Sequence, residues 1–126
     1  MLHHDTTHFY IAGRWVKPAT DRHLAVISPA NNAELAHISL GSEADVNAAV
    51  AAAREAFEPF SQWTVAERIA MLERIVAAYE PRMEDIAQSI SREMGAPIAI
   101  ARGSHAPQGL GHFREAIAVL KTFRFE

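Results

Sequence analysis

The sequence predicts an α+β fold in which a small antiparallel β element is followed by a mostly helical segment. Two observations support this prediction. Short runs of β-forming residues alternate with turn residues over about the first 40 positions. Beyond them, helix-capping patterns precede apolar residues at helical spacing. The chain has 126 residues, about the size of one ordinary domain.

Four short segments make up the predicted antiparallel sheet. Residues 9–11 and 14–16 flank an Ala-Gly turn, residues 24–27 form a third strand, and residues 35–38 form a fourth. A sheet of this size needs something packed on it. Ahead of it, residues 1–8 are polar and are predicted to be a flexible tail. The tail has three histidines, for which a solvated terminus is favoured over a metal site because a tail cannot orient ligands.

Proline residues and capping patterns divide the rest into helices. Ser42 is predicted to cap a first helix that ends at Pro59, and Thr64 caps a second. Pro81 is expected in the first turn of a third helix, which Gly95 stops. The apolar stripe of the last helix is predicted to comprise Leu110, Phe113, Ile117, Leu120 and Phe123.

Composition excludes several classes of protein. The net charge of −3, with no basic run, gives no reason to expect a nucleic acid or an anionic membrane as partner. The absence of cysteine excludes disulfides and thiol nucleophiles within this chain. No apolar run approaches the ~18 residues that a membrane span needs. No secretory signal precedes the first strand, so a cytoplasmic protein is expected.

The sequence contains almost no motifs typical of catalytic or ligand-binding sites. Gly109 and Gly111 resemble the start of a dinucleotide loop, but no predicted strand precedes them and Arg114 stands where the last glycine belongs, so a flexible helix start is favoured. His105 and His112 would share a helix face. For these two, partly exposed surface histidines are favoured over a metal or proton-transfer pair, because no carboxylate lies at ligand spacing.

The order of several stretches resembles the aldehyde dehydrogenase family. Residues 9–16 are similar to its aromatic-Ile-Gly-Gly-x-Trp opening, and residues 28–35 to its Asn-Pro-Ala-Thr-Gly-Glu turn. Residues 41–57 resemble its first helix, and residues 93–97 its Glu-x-Gly-Lys-Pro stop. The resemblance covers residues 9–126. Departures from the family pattern occur at Ser28, Asn31, Asn32 and Ala96.

The resemblance implies a parent enzyme that oxidises aldehydes to carboxylic acids with NAD or NADP. A Cys nucleophile, a Glu base and an oxyanion-binding Asn do this chemistry in the family, and they lie downstream of the matched part. Residues 9–126 are therefore expected to be an incomplete, N-terminal part of the family's doubly wound α/β cofactor-binding domain. The chain is expected to have no catalytic or cofactor-binding residues of its own and to be inactive alone. Its expected partner is the rest of the dehydrogenase.

Two minor sites are implied by the same resemblance. Ile27 and Glu93 match positions that hold a monovalent cation, and Ser104 and Gln108 match a helix bordering the substrate tunnel. For Glu93, Ser104 and Gln108, an ordinary surface role is the alternative. Apolar helix faces further predict a homo-oligomer. An independent helical module that binds a partner peptide is the alternative to the dehydrogenase fragment.

Overall fold

A computed structural model describes residues 6–125, in which short antiparallel strands are followed by helices, as the sequence predicts. The chain divides into two units, Met1–Gln62 and Trp63–Glu126. The first unit has four strands and helix α1, and the second has the remaining helices. No helix among the described residues is both long enough and apolar enough to span a bilayer.

Two β-hairpins form the first part of unit one. Strands β1 (Phe9–Ile11) and β2 (Arg14–Val16) pair antiparallel through a turn in which Ala12 and Gly13 both have positive φ, 51° and 77°. This backbone twist suits a two-residue hairpin. Strands β3 (His23–Ile27) and β4 (Glu34–Ser39) form a second antiparallel pair.

The prediction of a single small sheet is wrong, because the two hairpins are separate two-stranded sheets. Pro18 follows β2 closely and has no N–H to offer to a ladder, which stops pairing there. A backbone hydrogen bond joins the segment before β1 to the second hairpin instead: the Ser39 N–H of β4 donates to the Thr6 carbonyl (3.3 Å). Thr6 and Thr7 of the predicted tail are bonded to β4, and residues 1–5 lie outside the described part.

Helix α1 (Glu43–Ser61) begins at the predicted cap. The Ser42 hydroxyl accepts from the Asp45 N–H, and the Asp45 carboxylate accepts from the Ser42 N–H (2.8 Å), which together form a capping box. The prediction that Pro59 ends the helix is wrong, since α1 continues to Ser61. A proline in the last turn removes a single backbone bond near an exposed end, and the helix tolerates this loss.

The second unit is helical throughout. Its elements are α2 (Val65–Tyr79), a 3-10 turn (Glu80–Arg82), α3 (Met83–Met94), α4 (Ile98–Ile100), a π-helical segment (Ala101–His105) and α5 (Ala106–Thr122). Thr64 caps α2 in a second capping box, with Glu67. Pro81 lies in the 3-10 turn rather than inside α3. Phe123 follows α5 and is 58% exposed, so its placement on the buried stripe is wrong.

A small core joins α3 to the segment after Pro97. Its buried members are Ala87, Ala101 and Ala106, and Ile86, Ile90 and Ile98 pack against them. Alanine side chains let helix backbones approach closely. Leu110 and Ile117 of α5 are also buried, as predicted for the last helix.

Candidate functional site

The candidate site is the segment 97–108, which contains the predicted tunnel residues. It begins where α3 stops. Gly95 caps α3 in the left-handed conformation, at φ 74°, and the Ser91 hydroxyl donates to the Ala96 carbonyl (2.8 Å). Pro97 then precedes α4. The predicted Gly-Pro helix stop is confirmed, and it releases the chain into a new helical direction.

The first turns of the new helical run are wider than an α-helix. Residues Ala101–His105 are π-helical, and α5 continues directly from them. Such segments are frequent at functional sites because they change which side chains a helix presents. Ala101 is fully buried in the small core, whereas Gly103 and Ser104 are exposed. The core therefore fixes one side of the π segment and leaves the other side open.

An ion pair anchors the π segment to α3. Arg102 Nε donates to Glu84 Oε2 (2.9 Å), and Arg102 Nη2 donates to Glu84 Oε1 (2.6 Å). Gln88 Nε2 donates to the same carboxylate (2.9 Å). The Arg102 hydrogen bonds, and then that of Gln88, lower the pKa of Glu84 to about 2. The same bonds raise the pKa of Arg102. Glu84 is therefore an ionised structural partner and not a general base.

The two predicted tunnel residues lie close together in sequence on this segment. Ser104 is in the π segment and Gln108 is in the first turn of α5, and both are exposed. Within residues 6–125, neither side chain makes a hydrogen bond. A hydroxyl and a carboxamide can bind a polar group of a ligand but provide neither a nucleophile with a base nor an acid. Their chemistry is suited to contact with a substrate and not to its conversion.

His105 is partly exposed, as the sequence predicts, but one of its ring nitrogens is buried. Its ring is half-buried, and its Nδ1 is fully buried without a hydrogen-bond partner among the described residues. His112 is exposed. Burying an unpaired ring nitrogen is costly, so this atom is an unsatisfied polar group next to Ser104. No spacing in the sequence signals it, because the π segment shifts the helical register.

The Gly-x-Gly motif lies within α5 and has a packing role. The Tyr79 hydroxyl of α2 donates to the Ala106 carbonyl (2.9 Å), and its ring meets that of Phe113 edge to face. A Cβ on Gly109 would lie 2.5 Å from Tyr79 Oη. Gly109 thus makes room for Tyr79, and the motif does not form the strand-turn-helix loop that binds a dinucleotide.

A family model described as "Aldehyde dehydrogenase family" matches residues 15–126. The chain belongs to the aldehyde dehydrogenase family. A 3-succinoylsemialdehyde-pyridine dehydrogenase of a Pseudomonas species is 42% identical over 123 residues, which are 97% of this chain and 26% of the relative. The chain thus spans about a quarter of the length of the curated relatives that it matches.

Solved structures of aldehyde dehydrogenases match the fold. An aldehyde dehydrogenase from Bartonella henselae has a TM-score of 0.91 at 41% identity, over 94% of this chain and 25% of that one. Aldehyde dehydrogenase C of Pseudomonas syringae, solved with NAD+ and octanal, has a TM-score of 0.94 at 41% identity, over 98% and 25%. The strands and helices of this chain are therefore those of the N-terminal part of an aldehyde dehydrogenase.

The predicted cation ligands of this aldehyde dehydrogenase segment lie in different units. Ile27 ends β3, where the pairing with β4 shifts register, and its residue is exposed. Glu93 is exposed near the end of α3. The exposed carboxylate of Glu93 has the oxygen ligands that a hard cation prefers. The site they would form remains a prediction.

Proposed function

We propose that this chain is the N-terminal part of an enzyme that oxidises aldehydes to carboxylic acids with NAD or NADP. The observation that carries this proposal is the family match over residues 15–126, supported by relatives of known fold at 41% identity. One of those relatives was solved with NAD+ and octanal, which supports a nicotinamide cofactor and an aliphatic aldehyde as the first compounds to test.

The role proposed for these residues is that of a framework. The chain has no cysteine, so it cannot supply the thiol nucleophile that the family's chemistry uses. The carboxylates with lowered pKa values, Asp45, Glu67 and Glu84, accept hydrogen bonds from caps or from Arg102. They stabilise helix ends and the π segment, and none of them is poised to move a proton.

We propose that the nicotinamide cofactor binds to the rest of the enzyme and not to this part. The Tyr79 hydroxyl occupies the space next to Gly109, where an added Cβ would lie only 2.5 Å from it, and no strand leads into the motif. Among the described residues, strands pair antiparallel only, without the parallel βαβ unit of dinucleotide sites. The cofactor contacts would therefore lie in the rest of the enzyme.

Four residues are proposed to take part in binding. Ser104 and Gln108 would border the entrance for the aldehyde, where the exposed side of the π segment offers a hydroxyl and an amide. The Ile27 carbonyl and the Glu93 carboxylate would bind a monovalent cation, as oxygen ligands do. What supports both proposals is that the four residues are exposed and match the corresponding positions of the family.

The apolar surface of α1 is proposed to be the contact between copies in a homo-oligomer. Val46, Val50 and Phe57 lie on this helix and are all exposed, Phe57 by 68%. Exposed clusters of large apolar side chains mark surfaces that bind another protein. We propose that a second copy of the protein covers them. Sedimentation velocity tests this, and a single compact monomer at micromolar concentration would contradict it.

A chimaera tests the proposed function directly. Residues 1–126 would replace the matching segment of aldehyde dehydrogenase C of Pseudomonas syringae, and NADH formation from octanal would be recorded. We expect a folded, active chimaera and no turnover from residues 1–126 alone with NAD+ or NADP+. Activity of residues 1–126 alone, or a folded but inactive chimaera, would show that the proposal is wrong.

The same chimaera tests the proposed entrance residues. Ser104→Trp places a bulky ring on the exposed side of the π segment, so KM for octanal is expected to rise with little change in kcat. Ser89→Trp, at an exposed serine of α3, is the matched control. Equal kinetics of the two variants would contradict a role of Ser104 at the entrance.

A further inference from the structure

The π-helical segment Ala101–His105 determines which of two neighbouring side chains is buried. In α5, Ala106 and Leu110 are buried four residues apart, as on one face of an α-helix. Four residues before Ala106, the same face would contain Arg102. The buried residue is instead Ala101, five residues before Ala106, while Arg102 is exposed. The wider π turn therefore keeps the guanidinium of Arg102 out of the core.

This π register is not stabilised by the segment itself. Turns of π-helix are rare, which indicates that they are less favourable than α-helix. The buried Nδ1 of His105 has no hydrogen-bond partner among the described residues, and an unsatisfied buried polar atom destabilises the folded state. An added Cβ on Gly103 would meet nothing within 4 Å, so no side chain packs against the middle of the segment. Contacts with the rest of the second unit must therefore hold the register.

Two contacts of different kinds hold it. The first is the burial of Ala101 in the small alanine core. The second is the pair with Glu84, in which Arg102 Nε and Nη2 donate to the two carboxylate oxygens, at 2.9 and 2.6 Å. A guanidinium that donates to both oxygens is fixed in orientation as well as in distance. A return to α-helix by one residue would turn Arg102 by about 100° around the helix axis and break this pair.

We propose that Arg102 is a positioning residue for the aldehyde entrance, because its pair with Glu84 holds the register in which Ser104 is exposed. This role rests on the function proposed above, in which Ser104 and Gln108 border the entrance. Arg102 would act through Ser104 and not touch the aldehyde. Without the pair, the aldehyde would have to order the segment as it binds, which weakens binding and leaves the chemical step unchanged.

Direct binding of an anionic substrate by Arg102 is the alternative. It is disfavoured because Glu84 offsets the charge of the guanidinium and occupies two of its donor groups. The two roles differ in their effect on an uncharged aldehyde. A direct charge contact would leave KM for octanal unchanged when Arg102 is replaced, whereas a positioning role would not.

Amide hydrogen exchange of the full chain tests the anchoring without any enzyme activity. Arg102→Met removes the pair and keeps a side chain of similar length. We expect the amides of residues 101–105 to exchange about two- to fivefold faster, the range that an exposed ion pair supports. Arg114→Met is the matched control, because Arg114 on α5 also forms an exposed pair with a glutamate, Glu80. Unchanged exchange in Arg102→Met, or equal acceleration of these amides in both variants, would contradict the proposal.

Steady-state kinetics of the chimaera with octanal test the role at the entrance. Arg102→Met should raise KM about two- to fivefold with little change in kcat. Arg102→Lys should raise it less, because an ammonium keeps the charge but cannot donate in the same fork. Glu84→Gln removes the charge at the other end of the pair and should also raise KM, so the test holds even if Arg102→Met fails to fold. Arg114→Met should leave both constants unchanged.

A double variant separates positioning from a general loss of stability. Ser104→Trp is expected to raise KM by narrowing the entrance, and this effect requires that the segment be held in place. With Arg102→Met the ring can turn away, so KM of the double variant should be lower than the product of the two separate rises. A KM equal to that product would show that Arg102 does not act through Ser104, and the proposal would be wrong.

The outcomes also distinguish this role from the function on which it rests. A folded but inactive wild-type chimaera would contradict the proposed function and the entrance role together, while hydrogen exchange would still show whether Arg102 anchors the segment. An active chimaera in which Arg102→Met leaves KM for octanal unchanged would contradict the positioning role alone.

Discussion

The two units of this chain bury different kinds of residue. In the described part of the first unit, the buried residues are Ser28 and Ser39. In the second, the buried residues are all apolar: Ala87, Ala101, Ala106, Leu110 and Ile117. The first unit therefore depends on backbone ladders, caps and side-chain hydrogen bonds. The second depends on packing between helices.

The apolar side chains of the first unit complete this contrast. Leu24, Val46, Val50 and Phe57 are exposed although their spacing is that of buried faces. A helix of 19 residues without one buried side chain obtains little stability from its own unit. Its capping box and the bond from the Ala19 N–H to Asp45 Oδ1 (2.9 Å) are what fix its position. The first unit thus has its polar hydrogen bonds in place and leaves its apolar surface exposed.

The largest expected effect is the loss of packing in the second unit. Ile117→Ala removes a buried side chain of α5 and should lower the free energy of unfolding by about 2–4 kcal/mol. Val119→Ala, at an exposed position of the same helix, should change it by less than about 0.5 kcal/mol. Urea denaturation measures both. Similar losses for the two variants would mean that α5 does not bury one face, and the comparison of the units would fail.

Close packing of α2 on α5 gives the next largest effect. Gly109→Ala places a Cβ 2.5 Å from Tyr79 Oη and should destabilise by about 1–3 kcal/mol. Gly111→Ala meets nothing within 4 Å, so it should stabilise α5 by up to about 1 kcal/mol through helix propensity. Thermal denaturation of the two alanine variants should thus shift in opposite directions.

A second-site change tells the contact from a general helix effect. Tyr79→Phe removes the hydroxyl that faces Gly109, so the double variant should recover part of the loss. If Tyr79→Phe leaves the cost of Gly109→Ala unchanged, the clash is not its cause.

Local patterns in the sequence were sufficient for most helix boundaries. Ser42 with Asp45 and Thr64 with Glu67 form boxes within four residues, so their geometry depends on neighbours alone. Gly95 likewise needs only its own φ to end α3. The helix end predicted at Pro59 is wrong because a proline in the last turn removes one backbone hydrogen bond without clashing with a buried neighbour.

Features that depend on distant residues could not be predicted in this way. The Arg102–Glu84 pair joins residues 18 positions apart, and the π segment to which it is attached has no sequence pattern of its own. The separation of the hairpins into two sheets likewise depends on how distant strands pair, which no local pattern indicates. Ser104 and Gln108 came from the family resemblance, and nothing in their spacing indicated a site.

A smaller effect is expected from the polar frame of the first unit. Ser42→Ala removes the cap of α1 and should cost about 0.5–2 kcal/mol, near 1. Ser42→Asp keeps an oxygen acceptor at the cap but places a negative charge next to Asp45, so it should recover only part of the loss. Circular dichroism during urea denaturation follows the loss of helix. If Ser42→Ala lowers the free energy of unfolding as much as Ile117→Ala does, the caps stabilise the first unit as strongly as the core stabilises the second.

The smallest expected effect is a pH-dependent change in stability due to Glu84, which lies in the second unit. Arg102 and Gln88 lower its pKa from 4.5 to about 2, so the folded state holds this carboxylate ionised more readily than the unfolded state does. The resulting stability is present above pH 4.5 and is lost as the pH falls toward 2. Glu84→Gln should therefore lower Tm slightly above pH 4.5, and the difference from the wild type should vanish near pH 2. Glu73→Gln, on an exposed position of α2, should give no such trend. A constant difference across this range would show that Glu84 acts through packing and not through its charge, and the anchoring of the π segment would then rest on the alanine core alone.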